Sequence, residues 1–152
     1  MNKIALFPGS FDPFTKGHEY IVSKGLEIFD EIIIGIGINT EKKYLFALEK
    51  RIKHIEQLYI NEKRVNVYPY KGLTIDYCKK VSALHIIRGL RNSIDFEYEK
   101  SIAQMNGSMS KVETIFILTS ETLSPINSSI VREIHKNKGD ISLFVTHPEL
   151  LV

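Results

Sequence analysis

Short apolar runs alternate with amphipathic stretches along this chain. Ile4 to Phe7 is continuously apolar, and Glu31 to Ile38 is β-branched and nearly all apolar. Runs of this length and composition are typical of strands buried on both faces. With one alternating segment and two further short runs, the predicted strands are Ile4 to Phe7, Glu31 to Ile38, Arg64 to Tyr68, Leu84 to Ile87 and Thr114 to Leu118.

Between these runs, apolar residues recur at the spacing of one helix face. In the first such stretch they stand at Ile21, Val22 and Phe29, and Thr74 and Gly139 are a candidate N-cap and a candidate helix stop. The predicted helices are His18 to Phe29, Leu48 to Tyr59, Thr74 to Val81, Ile94 to Met105 and Ser128 to Lys138.

The order of these elements predicts the fold class. Strands separated by helices, with no tight hairpin joining two of them, indicate repeated βαβ units. We therefore predict an α/β fold, a Rossmann-like doubly wound sheet of five parallel strands. No repeat, low-complexity tract or linker divides the sequence, so we expect a single domain over residues 1–152.

Composition excludes several other classes of protein. The chain has 152 residues, 43% of them hydrophobic, which is enough for one substantial core. Its 20 Lys and Arg against 18 Asp and Glu give a net charge of +2 without a basic block, so we expect neither nucleic acid nor a membrane as partner. A single cysteine, Cys78, and the absence of CxxC or HExxH spacing argue against a disulfide or a structural metal site. No signal peptide or long apolar run is present, and a cytoplasmic location is expected.

Positive charge and hydroxyl groups gather just beyond the carboxyl ends of the predicted strands, where open α/β sheets bind their ligands. Glycines, helix N-termini and basic side chains together are typical of phosphate sites. The rule selects Gly9, Ser10 and His18 after the first strand, Lys42 after the second, Gly72 to Thr74 after the third, Arg88 and Arg91 after the fourth, and Ser120 to Ser129 after the fifth.

The turn-rich segment from Phe7 to His18 delivers a histidine to the first turn of a helix. An imidazole there can donate a hydrogen bond to a phosphoryl oxygen. Its charge state stays open, because the helix N-terminus disfavours protonation whereas a bound polyphosphate favours it. Asp12 is predicted to organise its own loop through a side-chain turn and not to act as a base.

Taken singly, each of these residues also fits an ordinary structural role, and it is their convergence that favours function. His54 and Cys78 are assigned to packing or to the surface. The structural alternatives are a capping or surface role for His18, a solvated loop for Lys42, ion pairs of Arg88 and Arg91 with Asp95, Glu97 or Glu99, and helix N-caps for Ser128 and Ser129.

Several motifs give the chain a resemblance to a known family. GSFDP at 9–13, TxGH at 15–18, RGLR at 88–91, DFEYE at 95–99 and AQMN at 103–106 occur in that order. With them the sequence resembles bacterial phosphopantetheine adenylyltransferase, of the HxGH nucleotidyltransferase superfamily, with Thr15 replacing the first histidine. The resemblance implies a nucleotidyltransferase of HxGH type that transfers AMP from ATP to 4′-phosphopantetheine, giving dephospho-coenzyme A and pyrophosphate.

The resemblance also implies roles for individual residues, together with Mg²⁺ as cofactor, a homohexamer and feedback inhibition by coenzyme A. The implied catalytic residues are His18, Lys42, Arg88, Arg91 and Ser10. The implied ATP-binding residues are Ser10, Phe11, His18, Gly89, Leu90, Arg91, Glu99, Leu123, Ser124, Pro125, Ile126, Asn127, Ser128 and Ser129. The implied phosphopantetheine-binding residues are Ser10, Lys42, Leu73, Thr74, Arg88, Met105 and Asn106.

The sequence departs from the family pattern at a few of these positions. Asn127 replaces the first serine of a usual serine run, Thr74 stands where methionine is usual, and Gly72 occupies a position that is often acidic. Two other functions stay open. One is a related adenylyl- or cytidylyltransferase acting on nicotinamide mononucleotide or an alcohol phosphate, and the other is a non-catalytic module that binds nucleotide or coenzyme A.

Overall fold

A computed structural model describes residues 1–152 and contains one five-stranded sheet whose neighbouring strands are all parallel. The strand order is β3-β2-β1-β4-β5. This confirms the predicted α/β fold class and the number of strands. The strands are β1 (Ile4–Gly9), β2 (Glu31–Gly37), β3 (Val65–Tyr70), β4 (His85–Leu90) and β5 (Glu113–Leu118).

Helices connect the strands in chain order, as the apolar spacing predicts. A short 3₁₀ helix over Pro148–Leu151 was not expected from the sequence. No helix combines the length and the apolar character needed to cross a bilayer. The α-helices are α1 (Lys16–Gly25), α2 (Leu48–Leu58), α3 (Thr74–Val81), α4 (Ser93–Met109) and α5 (Ser128–Lys136).

The two faces of the sheet carry separate apolar clusters, because successive side chains of a strand point to opposite faces. On one face, Ile32 and Ile34 of β2 pack with Val22 of α1 and Ile55 of α2. On the other face, Ile33 of β2 joins a cluster with residues of α3. Burial on both faces explains why the β2 sequence is almost continuously apolar.

Three strands, β1, β3 and β4, run further toward their carboxyl ends than the sequence predicts, whereas β2 ends one residue earlier, at Gly37, and β5 ends at Leu118 as predicted. β4 was expected to end at Ile87, but it continues through Leu90, so that Arg88 lies within the strand. The reason is register: Arg88 pairs with Phe116 of β5, and the neighbouring strand supplies backbone partners for the extra residues. Arg88 is therefore held by the sheet itself and not by a loop.

Two helix caps also differ from expectation. Thr74 is the first residue of α3, and Leu73 occupies the N-cap position without a side-chain hydrogen bond. Asn127, not a serine, caps α5: its side chain accepts hydrogen bonds from the backbone N–H groups of Ser129 and Ile130. Asparagine is among the best N-cap residues, and its use here releases the hydroxyls of Ser128 and Ser129 for other contacts.

The order of the strands reverses direction between β1 and β4. β2 and β3 continue to one side of β1, and β4 and β5 lie on its other side. In open α/β sheets such a switch point leaves a crevice beyond the carboxyl ends of the two central strands. Residues that follow β1 and end β4 therefore face one another.

Candidate functional site

A crevice with two lobes opens at the carboxyl ends of β1 and β4. The first lobe has a cavity volume of about 370 Å³ and lies between the β1–α1 loop and the N-terminus of α5. The second lobe, about 430 Å³, lies between the ends of β2 and β3 and helix α4. Both lobes are lined by Ser10, Lys42, Arg88 and Glu99, which therefore mark their junction.

His18 lies in the first turn of α1 and lines the first lobe. The backbone N–H of Thr15, the N-cap residue, donates a hydrogen bond of 2.9 Å to His18 Nδ1. The Thr15 hydroxyl in turn accepts from the backbone N–H of His18, so the two residues form a capping box. Because Nδ1 acts as an acceptor, a neutral imidazole carries its proton on Nε2.

Aromatic rings enclose the His18 imidazole. The ring centroids of Phe11 and Phe14 lie 5.0 Å and 5.2 Å from that of His18. Burial first, and then the positive charges of Arg88 and Arg91, lower the pKa of His18 to about 3. In the unliganded protein the imidazole is thus neutral at pH 7, and Nε2–H is a hydrogen-bond donor without a positive charge.

The β1–α1 loop is shaped by close packing of its own residues. A side chain at Gly9 would place its Cβ 2.8 Å from the Phe11 ring, so the ring would have to move to admit one. Phe11 itself has φ +48°, in the left-handed region that non-glycine residues rarely adopt. The strain is balanced by burial of the Phe11 ring, which is 4% exposed. The peptide bond between Asp12 and Pro13 is cis.

Asp12 does not organise its own loop, contrary to the prediction. Its carboxylate is 3% exposed and accepts hydrogen bonds from the backbone N–H groups of Leu45 (2.8 Å) and Phe46 (2.9 Å). Those groups belong to the loop that follows β2. Hydrogen bonds to a buried carboxylate are stronger than neutral ones, so Asp12 ties the loop after β2 to the loop after β1.

A buried guanidinium links the same two loops. Arg51 of α2 is 3% exposed, and it donates to the carbonyl oxygens of Ser10 (2.7 Å) and Phe46 (3.0 Å). Sequence reasoning missed this residue. Its position in the sequence could have identified it as a buried residue. Arg51 is three residues after Leu48 and four before Ile55, and therefore lies on the apolar face of the helix.

Each arginine of the RGLR motif is paired with a carboxylate of α4. Arg88 donates to the two carboxylate oxygens of Glu99 at 2.9 Å and 2.7 Å, and to the carbonyl of Pro8. Arg91 donates to Asp95 at 3.0 Å and 3.3 Å. The ion pairs that the sequence offered as a structural alternative therefore form, while both arginines also line the first lobe. The two interpretations are compatible.

Lys42 reaches across from the loop after β2 to the loop after β1. Its ammonium nitrogen lies 3.2 Å from Ser10 Oγ and donates a hydrogen bond to it. A lysine in an exposed loop would ordinarily extend into solvent. The contact with Ser10 instead places a positive charge at the junction of the two lobes.

The N-terminus of α5 borders the opposite side of the first lobe. With Asn127 as the cap, Ser128 Oγ donates to the carbonyl of Pro13 at 3.0 Å. Arg132, one turn into the helix, donates to Ser129 Oγ at 3.0 Å and to the carbonyl of Asp12 at 2.9 Å. Arg132 also lines the lobe and was not predicted. A helix N-terminus with an added arginine favours a bound anion.

The second lobe is less polar and is bounded by aromatic side chains. The Tyr70 hydroxyl lies 3.0 Å from Thr74 Oγ1, and the Tyr70 ring stacks on Tyr77 at a centroid distance of 4.6 Å. Tyr98 and Ile102 of α4 line the opposite wall. The predicted Thr74 thus belongs to a wall with its hydroxyl already hydrogen-bonded.

Of the residues to which the family resemblance assigns a role, the structure brings most together and leaves a few outside the two cavities. The predicted residues that line the first lobe are Ser10, Phe11, His18, Lys42, Arg88, Gly89, Arg91, Glu99, Leu123, Ile126, Asn127, Ser128 and Ser129. Those that line the second are Ser10, Lys42, Thr74, Arg88, Glu99 and Asn106. The predicted residues that line neither cavity are Leu73, Leu90, Met105, Ser124 and Pro125.

The carboxylates of the crevice are already engaged by the protein. Asp12 binds backbone N–H groups, Glu99 pairs with Arg88, and Asp95 pairs with Arg91. No group of three or more His, Cys, Asp or Glu side chains is arranged to hold a metal ion. A divalent cation therefore fits this crevice when it arrives on a phosphate ligand, since Mg²⁺ commonly keeps several waters and binds through substrate phosphates.

Comparison of the sequence with known proteins identifies its relatives. Residues 6–134 match the model of the cytidylyltransferase-like family. The chain is 55% identical over 141 residues to a phosphopantetheine adenylyltransferase of Flavobacterium psychrophilum, which covers 93% of each chain. It is 49% identical over 148 residues to a phosphopantetheine adenylyltransferase of Cytophaga hutchinsonii, covering 97% of this chain and 99% of the relative.

A solved structure shares the fold at much lower sequence identity. A bifunctional NMN adenylyltransferase/ADP ribose pyrophosphatase from Francisella tularensis superposes with a TM-score of 0.72 and 20% identity. The match covers 99% of this chain and 49% of that protein, so this chain spans about half its length. At that identity the likeness shows the fold alone.

Proposed function

The chain belongs to the cytidylyltransferase-like family, among its phosphopantetheine adenylyltransferases, and we propose that its two-lobed crevice transfers AMP from ATP to 4′-phosphopantetheine. Residues 1–152 act as one catalytic domain in this proposal. The first lobe receives ATP and the second receives the pantetheine arm. The products are dephospho-coenzyme A and pyrophosphate.

The observation that carries the proposal is the junction between the lobes. Ser10, Lys42 and Arg88 border both cavities, so a phosphate at this point is within reach of groups in each. The first lobe has a helix N-terminus and several arginines, which suits a polyphosphate. The second has aromatic and aliphatic walls, which suits a flexible arm that ends in a phosphate.

The reaction follows from how charge is arranged at this junction. An oxygen of the acceptor phosphate forms a bond to the α-phosphorus of ATP, the bond from that phosphorus to the α,β-bridging oxygen breaks, and the electron pair leaves with pyrophosphate. Lys42 and Arg88 reduce the repulsion between the two anions and align them. His18 donates from Nε2–H to an α-phosphoryl oxygen as charge grows there.

No general base enters this mechanism. The acceptor phosphate is already anionic near neutral pH, so its oxygen attacks without first losing a proton to the protein. The neutral state of His18 agrees with this, because a group with a pKa of about 3 is a poor base but keeps its donor proton. Catalysis then rests on positioning and electrostatic stabilisation, as in other phosphoryl transfers.

The proposed cofactor is Mg²⁺, which neutralises phosphate charge when bound. The protein's part is to receive the phosphates that carry it: Ser129 and Arg132 at the N-terminus of α5, and Arg91 at the end of β4. The carboxylates nearby are held by arginines or by backbone, as described above. We therefore place the cation on the nucleotide, with no protein side chain as a direct ligand.

The test is pyrophosphate release with ATP, Mg²⁺ and one acceptor at a time. We expect release with 4′-phosphopantetheine and none with nicotinamide mononucleotide or without acceptor, accompanied by the mass of dephospho-coenzyme A. Release with nicotinamide mononucleotide alone would overturn the choice of substrate. Nucleotide binding without release from any acceptor would instead support the non-catalytic binding module.

Three predictions made from the sequence remain predictions: the homohexamer, feedback inhibition by coenzyme A and the cytoplasmic location. One feature supports self-association. Helix α4 has no buried residue and exposes Ile94, Tyr98 and Met105, which are 80%, 70% and 66% exposed. Apolar faces of this kind are typical of interaction surfaces. Sedimentation velocity of the protein and of an Ile94→Glu variant tests whether copies associate through α4.

A further inference from the structure

Tyr44 is a half-buried aromatic residue beside the proposed acceptor end of the crevice, and neither the sequence motifs nor the proposed mechanism assigns it a role. It lies in the loop after β2 and lines the second lobe. Its hydroxyl accepts from the backbone N–H of Asn39 at 3.1 Å and donates to the carbonyl of Gly37 at 3.4 Å. The ring is thereby anchored to the end of β2.

Two cations lie over this one ring. The guanidinium carbon of Arg51 is 4.3 Å from the Tyr44 ring centroid, and the ammonium nitrogen of Lys42 is 5.5 Å from it. Both distances are within the range of about 6 Å over which the face of an aromatic ring attracts a cation. The buried Arg51 cannot move freely, because two backbone carbonyls hold it.

Four residues contact one another in a closed ring: Ser10, Lys42, Tyr44 and Arg51. Arg51 donates to the carbonyl of Ser10, and Ser10 Oγ accepts from Lys42. Lys42 lies over the Tyr44 ring, and that ring lies over Arg51. Lys42 is the one member with an exposed, flexible side chain, so the position of its ammonium group is restricted most by contacts with the other three.

The neighbouring lysine provides the contrast. Lys43 is exposed in the same loop and has no side-chain hydrogen bond or ion pair, so its ammonium group samples many rotamers. We propose that Tyr44 is a positioning residue that holds the Lys42 ammonium group at the junction of the lobes before substrate arrives. Preorganisation of this kind improves binding and rate by reducing the freedom lost on binding.

The inference rests on the proposed function for its kinetic consequences. Replacing the ring by leucine keeps apolar bulk and removes the attraction for cations, whereas phenylalanine keeps the ring and loses the hydroxyl. An exposed cation–ring contact corresponds to a change of about two- to fivefold. We expect Tyr44→Leu to lower kcat/KM for 4′-phosphopantetheine by that factor, with a smaller effect on KM for ATP. Tyr44→Phe should lose less activity than Tyr44→Leu.

A double-mutant cycle separates positioning from a general loss of structure. If Tyr44 acts through Lys42, Tyr44→Leu has no further effect on kcat/KM in a Lys42→Ala background. Lys43→Ala serves as the matched control for removal of one loop charge and should leave the effect of Tyr44→Leu intact. An equal loss from Tyr44→Leu with and without Lys42 would refute the proposal.

A measurement without turnover distinguishes failure of this inference from failure of the proposed function. In the wild-type protein, the ring current of Tyr44 should shift the ε-methylene protons of Lys42 upfield in the NMR spectrum, and Tyr44→Leu should abolish the shift. An unshifted Lys42 overturns the inference even in an active enzyme. If the Lys42 proton signals are shifted but the protein does not use 4′-phosphopantetheine, the positioning by Tyr44 is supported and the proposed substrate is refuted.

Discussion

Replacement of His18 by alanine removes a single hydrogen-bond donor from the first lobe. Only Nε2–H is available to a phosphoryl oxygen, because Nδ1 accepts the backbone N–H of Thr15. The same replacement also breaks half of the capping box at the start of α1. A His18→Gln variant is the matched control, because glutamine at the third helical position can accept from the N-cap N–H in place of the imidazole.

The magnitude follows from the charge state of the donor. With a pKa of about 3 in the unliganded protein, His18 meets the nucleotide as a neutral imidazole, so we treat the loss as that of one oxyanion-type donor and not of an ion pair. Removing one such donor costs about 2.7 to 4 kcal/mol of transition-state stabilisation, or about 10² to 10³ in kcat. The affinity for ATP should change less, because the contact strengthens as charge develops.

The assay is pyrophosphate release at saturating ATP and 4′-phosphopantetheine for wild type, His18→Ala and His18→Gln. We expect His18→Gln to recover the thermal stability of α1 more fully than it recovers turnover. Because His18 stays neutral above its pKa of about 3, the ratio of wild-type to His18→Ala kcat/KM for ATP should be constant between about pH 5.5 and 8.

Two results would refute this reasoning. A kcat of His18→Ala within about threefold of wild type would remove the imidazole from the transition state, since one preorganised donor is worth far more than that. A ratio of kcat/KM that falls steeply near pH 6.5 would show that His18 works as a titrating group, in conflict with its burial among phenylalanine rings.

Three further predictions concern the surroundings of the site. Arg88→Ala should weaken 4′-phosphopantetheine binding more than ATP binding in calorimetry, and equal weakening of both would count against its place at the acceptor phosphate. Asp12→Asn should lower the free energy of unfolding by about 1.5 to 3 kcal/mol in urea titrations, because an amide cannot accept both N–H groups as a carboxylate does; an unchanged midpoint would contradict this. Burial lowers the pKa of His54, so the unfolded chain takes up the proton first as the pH falls below 6.5, and stability should decline there by up to about 1.4 kcal/mol per pH unit. The pKa of His18 is lowered as well, so His18 adds a decline of its own over the same pH range. His54→Gln should therefore make the decline less steep without abolishing it, and a decline as steep as in wild type would show that His54 does not contribute.

The architecture was predictable because its signal is local. The β2 sequence is β-branched and apolar over its whole length, and such runs read as buried parallel strands without further information. The ends of the strands were less predictable. Arg88 looked like the start of a loop, and it belongs to β4 because β5 lies alongside to pair with it. The pairing of β4 with β5 depends on the tertiary structure and cannot be read from the local sequence.

The candidate site divides in the same way. Ser10, His18 and Lys42 were found from the rule that ligands bind beyond strand ends, and they do meet there. The partner of Asp12 was misjudged because Leu45 is 33 residues away along the chain. Arg51 was overlooked because one charged residue in an amphipathic helix attracts little notice, although a charge on the apolar face is itself a signal of a buried polar contact.

The pairing of Arg88 with Glu99 and of Arg91 with Asp95 has a consequence for how the crevice responds to salt. Each arginine carries a tethered counterion, so the empty site attracts few mobile anions from solution. Fewer ions are then released when a nucleotide binds, and affinity should depend on ionic strength less steeply than in a crevice of unpaired arginines. The same paired carboxylates weaken the binding of small anions to the arginines. A ligand that makes many contacts at once can compete with the carboxylates and bind.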